Sequence, residues 1–340
     1  MPGAPTRRNL LRQNGRVTQW AGIESGAASE RASATAAANP AAAAPAPDAA
    51  ERMRRRALRL RRTDRLVLGS IDGGAHVFQR RARALLLGSA VFLLPMTGLQ
   101  VLVTSMTWSR FDTFDGLLGD RGYLGAERGA TALAFIVHSL FAHLVGAYVA
   151  AYMVPYQMGG EPRVAVVVRR VVRRLPILLF TWAVTHCWLA VGALIYLSAN
   201  ADEAAGWAIF LGPLAAFLSA LALFVAPVVM VEGPREAMSR AVRLTRGRMG
   251  AVFGFVCMNM LIGSVLSLSI AFLPMLADST GLITLGGYGW LFEGVFAQLA
   301  VLIVMPFSAA VTAQMYLQTR VHAEGLDIVL AADAAFAGRR

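Results

Sequence analysis

Long apolar runs alternate with short arginine-rich segments along most of this chain, from about residue 84 to residue 318. Each run has roughly 20 or more residues, which is the length that an α-helix needs to cross about 30 Å of hydrocarbon. The pattern predicts an all-α integral membrane protein with six transmembrane helices. The predicted spans are residues 84–107, 131–154, 176–198, 206–231, 249–275 and 292–318.

Two of the arginine-rich segments have the helical period that places apolar and charged residues on opposite faces. The first has an apolar face of Val164, Val167, Val168, Val171, Val172 and Leu175, and a charged face of Arg169, Arg170, Arg173 and Arg174. The second has an apolar face of Ala237, Met238, Ala241, Val242, Leu244 and Thr245, and a charged face with Arg235, Arg240, Arg243 and Arg246. Such helices lie in a membrane surface. We predict that these arginines bind anionic lipid headgroups and that Ala237, Met238, Ala241 and Val242 of the second segment enter the acyl boundary.

The two amphipathic segments also resemble each other residue by residue. Pro-Arg-Val-Ala at residues 162–165 recurs as Pro-Arg-Glu-Ala at residues 234–237, and Arg174 matches Arg246. This spacing indicates a repeated unit, a cytoplasmic surface helix followed by a span, and residues 66–83 look like a weaker third copy. The alternative interpretation is that any arginine-rich connection between membrane helices has this composition.

The charged residues indicate which kind of partner the protein binds and how it is oriented in the membrane. The 340 residues are 56% hydrophobic and only 15% charged, with a net charge of +12, and all 32 basic residues are arginine. Because the arginines border apolar runs, the predicted partner is anionic lipid rather than nucleic acid. With both termini in the cytoplasm, 29 arginines lie inside, and only Arg110, Arg121 and Arg128 lie outside. The positive-inside rule therefore predicts six spans with both ends in the cytoplasm, as in a protein of an inner membrane.

The composition divides the chain into four parts. Residues 1–50 are rich in alanine and proline and predict a disordered tail. Residues 51–65 carry eight arginines and predict a cytoplasmic anchor before the six-span membrane domain of residues 66–318. Residues 319–340 predict a short cytoplasmic tail. The arginines of the first part precede no hydrophobic core segment, so we expect no signal peptide.

Three stretches carry a family resemblance: VVMVEGPREAMSRAVRLTRGRMGAVFG, the opening DRLVLGSIDGGAHVFQRRARALLLGSAVFLLP and the closing PFSAAVTAQMYLQTRVHAEGLDIVLA. Across residues 64–332 the chain resembles multipass bacterial proteins related to the membrane domain attached to some glycerophosphodiester phosphodiesterases. The resemblance implies a helical membrane domain whose motifs carry no known chemistry. The catalytic domain of those enzymes is a soluble barrel of a few hundred residues, and no stretch of this sequence provides one.

Ionisable residues inside the predicted spans are candidate sites, because they are costly to bury in a membrane. His138 and His143 are five residues apart and so point about 140° apart on a helix, which prevents both from binding one metal on the same face. His186 on the next span can meet one of them across a helix interface. Hydrogen bonding between helices is the favoured interpretation, and metal or haem binding is the alternative. Cys187 and Cys257 lie inside apolar runs, which argues against a disulfide framework or a structural zinc site.

Two further patterns predict how the spans pack and what faces outward. Small residues indicate close helix packing rather than a pore: Ala216 and Ala220 on the fourth predicted span, and Gly250, Gly254 and Gly263 on the fifth. Residues 108–130 mix aromatic and acidic residues and predict an outer loop on the membrane surface, with docking of an envelope protein as the alternative.

We expect no catalytic residues, no metal and no cofactor. The sequence predicts a non-enzymatic membrane scaffold or accessory subunit that interacts with anionic lipids and with a membrane or envelope protein. A transporter or flippase for lipid-like cargo is the alternative. A cavity between the spans would favour the transporter, and a closed bundle would favour the accessory role.

Overall fold

The computed structural model describes residues 65–108, 112–198, 201–286 and 289–326. The predicted N-terminal tail, most of the arginine anchor and the end of the C-terminal tail lie outside these residues. The described part is all-helical and contains no strand. Its helices are α1 (Leu66–Trp108), α2 (Asp112–Gln157), α3 (Val164–Arg173), α4 (Leu175–Thr185), α5 (Trp188–Ser198), α6 (Ala201–Ala222), α7 (Val225–Val231), α8 (Ala237–Arg246), α9 (Met249–Ala271), α10 (Leu273–Ser279) and α11 (Gly289–Glu324).

Several of these helices are long and apolar enough to cross a membrane. The described residues contain four such stretches, at Ala132–Gln157, Leu211–Val231, Met249–Ala271 and Gly294–Glu324. A fifth crossing is present if α4 and α5, which are bent by 55° at a short break, form one span. The protein is therefore all-helical, membrane-embedded and multi-pass, as the sequence predicts.

The first predicted span differs from the others. Residues 84–107 and the predicted surface segment both lie in α1, which is kinked at Arg81, where the backbone angles are not helical (φ −124°, ψ 21°). This stretch is not among the four or five crossings found in the described residues. The prediction of an outer loop at residues 108–130 is also wrong, because α2 is helical from Asp112 onward.

The connection between α7 and α8 depends on unusual backbone angles. Gly233 has a φ of 111°, a conformation that side-chain-bearing residues rarely adopt, and Pro234 follows it. Glu236 at the start of α8 is the one non-glycine residue in the described part with a positive φ, at 59°. These residues turn the chain sharply from the end of a span into the arginine helix.

The bundle packs around α1, α2 and α11, and glycines on α1 allow the closest approaches. A Cβ added at Gly74 would lie 2.5 Å from the Cα of Val311 on α11, and one added at Gly88 would lie 1.9 Å from the ring of Tyr148 on α2. The Tyr148 hydroxyl donates a hydrogen bond of 2.8 Å to the carbonyl of Ala84. The glycines of α1 therefore set the helix spacing.

The predicted glycines of α9 do not have this role. Nothing lies within 4 Å of a Cβ added at Gly250 or Gly254, and Gly263 makes only an ordinary contact with Ser308 at 3.5 Å. The prediction of close packing at these positions was wrong. The outward face of α9 instead carries exposed large apolar side chains such as Met260 and Leu261. Such a surface suits contact with lipid tails, which are as apolar as leucine.

Candidate functional site

The first arginine helix, α3, lies against the bundle on one face only. Val167 and Val171 are buried, and neighbouring apolar residues pack against the same core. Arg169 and Arg173 are exposed, as the sequence predicts. Val172 was predicted on the same apolar face as Val167 and Val171, but it is not buried with them and has 52% of its surface exposed. The outward face of α3 is therefore not purely charged.

The arginine that follows α3 has a protein partner. The Arg174 guanidinium donates to the backbone carbonyls of Val229 and Met230, the latter at 3.3 Å. These carbonyls belong to the last turn of α7, where backbone acceptors lack partners within the helix. Burial and the nearby Arg170 charge lower the pKa of Arg174. Arg174 thus caps α7 and joins the end of α3 to it, whereas Arg170 is half-buried.

The second arginine helix, α8, buries its apolar face inside the protein. Ala237, Ala241, Leu244 and Thr245 are buried. The prediction that Ala237 and Ala241 enter the acyl boundary was therefore wrong, because neighbouring helices cover them. Met238 is partly buried against the same core, and Val242 is 38% exposed. The arginines that α8 and its start expose are Arg235, Arg243 and Arg246.

The fourth predicted arginine of this helix, Arg240, belongs to an ion-pair cluster. Its guanidinium pairs with Glu232, which follows α7, at 2.8 Å and also contacts the carboxylate of Glu324 on α11. Arg320 pairs with Glu324 at 3.0 Å and lies 3.7 Å from Glu232. The Tyr316 hydroxyl donates a hydrogen bond of 2.6 Å to Glu232. We call these five residues the clasp, since they join α7, α8 and α11.

The clasp is partly shielded from water and electrically balanced. Its charged side chains are between 16% and 25% exposed. Burial alone would raise the pKa of Glu232, but the two arginines and the Tyr316 hydroxyl outweigh it and hold that pKa below its ordinary value. Burial acts to lower the pKa of Arg240, yet the two carboxylates raise it overall. Each charge therefore stabilises the charged form of its neighbours.

The sequence analysis missed four members of the clasp. Tyr316, Arg320 and Glu324 are spaced four residues apart, which places them on one face of a helix. Glu232 is the acid between the last apolar residue of a span and the Gly-Pro turn. These two signals indicate a polar helix end and an acid close to it. They do not show that the three helix ends meet, since that depends on the packing.

The two arginine helices come together at one place. Arg174 binds the carbonyls at the end of α7, and Glu232, which caps that end, binds Arg240 of α8. The ends of α3 and α8 therefore lie on the same side of the bundle, next to the same short helix. This arrangement gathers the predicted headgroup arginines into one region.

The histidines occupy a different region, at the break between α4 and α5. His143 is buried on α2, and its Nε2 lies 3.4 Å from the Thr181 hydroxyl on α4. His186 lies at the break, with its ring 5.9 Å from that of His143 and hydrogen-bonded through Nδ1 to Thr185 at 2.8 Å. His138 is exposed and separate from the pair. The predicted meeting of His186 with one of the other histidines across a helix interface is confirmed.

The described residues contain no group of three or more side chains suited to holding a metal ion. The rings of Trp182 and Trp188 are each roughly parallel to the His186 ring, with centroid distances of 6.1 and 6.4 Å. Both cysteines, Cys187 and Cys257, are exposed and unpaired in the structure.

The chain matches no protein-family model, and no curated protein or solved structure is significantly similar to it. The resemblance to the phosphodiesterase-associated membrane proteins therefore stays a prediction.

Proposed function

We propose that this protein is a non-enzymatic scaffold or accessory subunit of the bacterial inner membrane that binds anionic lipid headgroups at its cytoplasmic surface. In this proposal the chain crosses the membrane six times with both termini in the cytoplasm. Helices α3 and α8 lie at the cytoplasmic membrane surface as amphipathic interfacial helices. The positive-inside distribution of 29 arginines and the family resemblance both support it.

The observation that carries the proposal is the convergence of α3 and α8 at the end of α7. Arg174 and Arg240 bind protein groups and hold the two helices in place. Five exposed arginines remain around them: Arg169, Arg173, Arg235, Arg243 and Arg246. Arginine binds phosphate oxygens in a bidentate manner, so a cluster of exposed guanidinium groups beside a membrane suits phospholipid headgroups.

Lipid retention tests the proposal directly. The protein is extracted from membranes in mild detergent, and co-purified phosphatidylglycerol and cardiolipin are measured by native mass spectrometry. A variant with Arg169, Arg173, Arg243 and Arg246 changed to Glu should lose most of the bound anionic lipid. Each arginine contributes about 1 kcal/mol near an anionic surface, so we expect a loss of at least about tenfold.

The matched control changes the same four arginines to Lys, which keeps the charge and should keep most of the lipid. A Glu variant that retains as much anionic lipid as the unchanged protein would overturn the proposal. Equal loss in both would show that the guanidinium geometry, rather than charge, decides binding.

One observation favours the alternative of a transporter or flippase. The 55° bend between α4 and α5 interrupts a span, and interrupted helices form the substrate sites of many transporters. Purified protein in vesicles with a fluorescent phospholipid tests this alternative, since movement between leaflets exposes the label to an impermeant quencher. Quenching beyond that of protein-free vesicles would favour transport over the scaffold.

A further inference from the structure

We propose that α3 is the helix by which this protein penetrates the membrane surface, with Val166 and Val172 in the acyl boundary and Arg169 and Arg173 on lipid phosphates. The inference rests on the proposed function, because it identifies which of the two arginine helices enters the lipid and how. The partner it requires is an anionic phospholipid layer.

The outward face of α3 alternates apolar and basic residues. Val166 is 62% exposed and Val172 is 52% exposed, and both face away from the buried Val167 and Val171. On a helical wheel Arg169 lies about 60° from each exposed valine, so it occupies the middle of the outward arc. The two valines flank this central arginine, and Arg173 lies beside Val166 on the same arc.

The exposed valines and the basic residues of α3 together favour lipid as the partner of its outward face. Two valines exposed to water on a ten-residue helix are unfavourable, whereas the acyl boundary accepts them. The helix contains no acidic residue and has Arg170 and Arg173 in its last turn. Its outward face is thus basic and apolar at once. This is the composition of helices that lie in anionic membrane surfaces.

The outward face of α8 is mainly polar and charged, unlike that of α3. Its outward residues are Ser239, Arg243 and Arg246, and Val242, which is less exposed than either valine of α3. The clasp holds this helix against α7 and α11 through Arg240. Helix α8 can therefore present arginines to headgroups without inserting a side chain among the acyl chains.

Spin labelling of the full chain in vesicles measures the depth of each helix. Single cysteines replace Val166, Val172, Ser239 or Leu194 in a background in which Cys187 and Cys257 are alanine. Leu194, exposed on α5 within a predicted span, is the deep reference, and Ser239 on α8 is the matched surface reference. The vesicles contain phosphatidylethanolamine and phosphatidylglycerol, and accessibility to oxygen is compared with accessibility to a nickel chelate.

We expect labels at positions 166 and 172 to collide several times more often with oxygen, relative to the chelate, than the label at 239. They should fall between that label and the one at 194. The inference would be wrong if the labels at 166 and 172 were as accessible to the chelate as the label at 239. It would also be wrong if the labels were immobilised and reached by neither reagent, because a protein partner would then cover the face.

The two proposals fail separately. If lipid retention depends on the arginines while positions 166 and 172 lie in water, headgroup binding stands and the penetration of α3 is wrong. If both valines lie in the acyl boundary while the Glu variant retains its lipid, the headgroup proposal is wrong.

Discussion

The chain enters helices α3 and α8 through nearly the same four residues, yet the two helices are attached to the bundle in different ways. Helix α3 buries two valines and is joined to α7 by one arginine after its end. Helix α8 buries small residues and is joined to α7 and α11 by an arginine in its middle, within the clasp. One arginine helix is thus held mainly by apolar packing, and the other by packing and charge.

The difference shows that residues at equivalent positions of the sequence repeat are not buried alike in α3 and α8. At the repeat spacing of 72 residues, Val167 and Val171 correspond to Ser239 and Arg243, which are both exposed. Arg240 corresponds to Val168, so the first unit has no equivalent of the clasp arginine. What the two units share is the order of elements, a short arginine helix directly followed by an apolar helix. Attachment is specific to each copy.

The largest expected effect concerns the side of the membrane on which the two helices lie. In a background without the native cysteines, single cysteines at Ser198 and Asp278 should react with an impermeant thiol reagent added to intact cells. Cysteines at Arg163 beside α3 and at Ser239 on α8 should react only after lysis, because the positive-inside rule places them in the cytoplasm. Labelling of position 163 and not 239 from outside would place the two helices on opposite sides and break the comparison.

The clasp should matter for α8 and not for α3. Changing Glu232 to Gln removes one negative charge from between two partly buried arginines, which we expect to cost about 2 kcal/mol. Amide exchange across residues 237–246 should then rise by roughly 30-fold, while residues 164–173 keep their protection. The control is Glu236→Gln, an exposed acid four residues away. If both variants exchange alike, charge does not hold α8.

The cap on α7 should matter for the end of α3. Changing Arg174 to Gln removes charged hydrogen bonds to two carbonyls that have few other partners, at a cost of about 1 kcal/mol for this half-buried group. Exchange should rise about fivefold across residues 228–233 and in the last turn of α3. Arg163→Gln, at an exposed position before α3, should leave both unchanged. Unchanged exchange in the Arg174 variant would mean that apolar packing alone holds α3.

The smallest expected effect is on pH dependence. Because the folded pKa of Glu232 is below its ordinary value of about 4.5, its contribution to stability is present above that value and is lost as the pH falls through the folded pKa. A nitroxide at Ser239 on α8 should therefore become more mobile as the pH falls below about 4.5. A nitroxide at Arg163 beside α3 should change less, since Arg174 stays charged. Equal changes at both positions would remove the distinction.

Much of the fold follows from the apolar pattern, because the pattern reports what each helix buries. Four predicted spans overlap the four stretches that are long and apolar enough to cross a membrane, and the span predicted at residues 176–198 is a fifth crossing if the bent pair α4 and α5 forms one span. The bend at His186 could not be predicted from that pattern, because the run is apolar on both sides of it. The glycine prediction failed for a related reason. Periodicity shows which residues are small, but only the packing shows that Gly74 and Gly88 face a neighbour.

The candidate site could be predicted only in part. The exposed arginines of both helices follow from the helical period, which separates them from the buried residues. The clasp joins residues from position 232 to position 324 and depends on where three helix ends meet. The outward position of Val166 and Val172 depends on which side of α3 faces the core, and six valines in ten residues leave that choice open.

The clasp and the exposed arginines of α8 should respond differently to ionic strength. Two carboxylates and two guanidinium groups cancel within a few ångströms, so the clasp projects little field into the surrounding solution. Screening by salt acts on charges that are exposed and far apart, and it reaches shielded pairs much less. Rising salt should therefore release headgroups from the exposed arginines while Arg240 keeps its partners. Under the proposed function, one short helix would therefore use arginine in two ways: salt-sensitive binding of lipid headgroups and salt-resistant attachment to the protein.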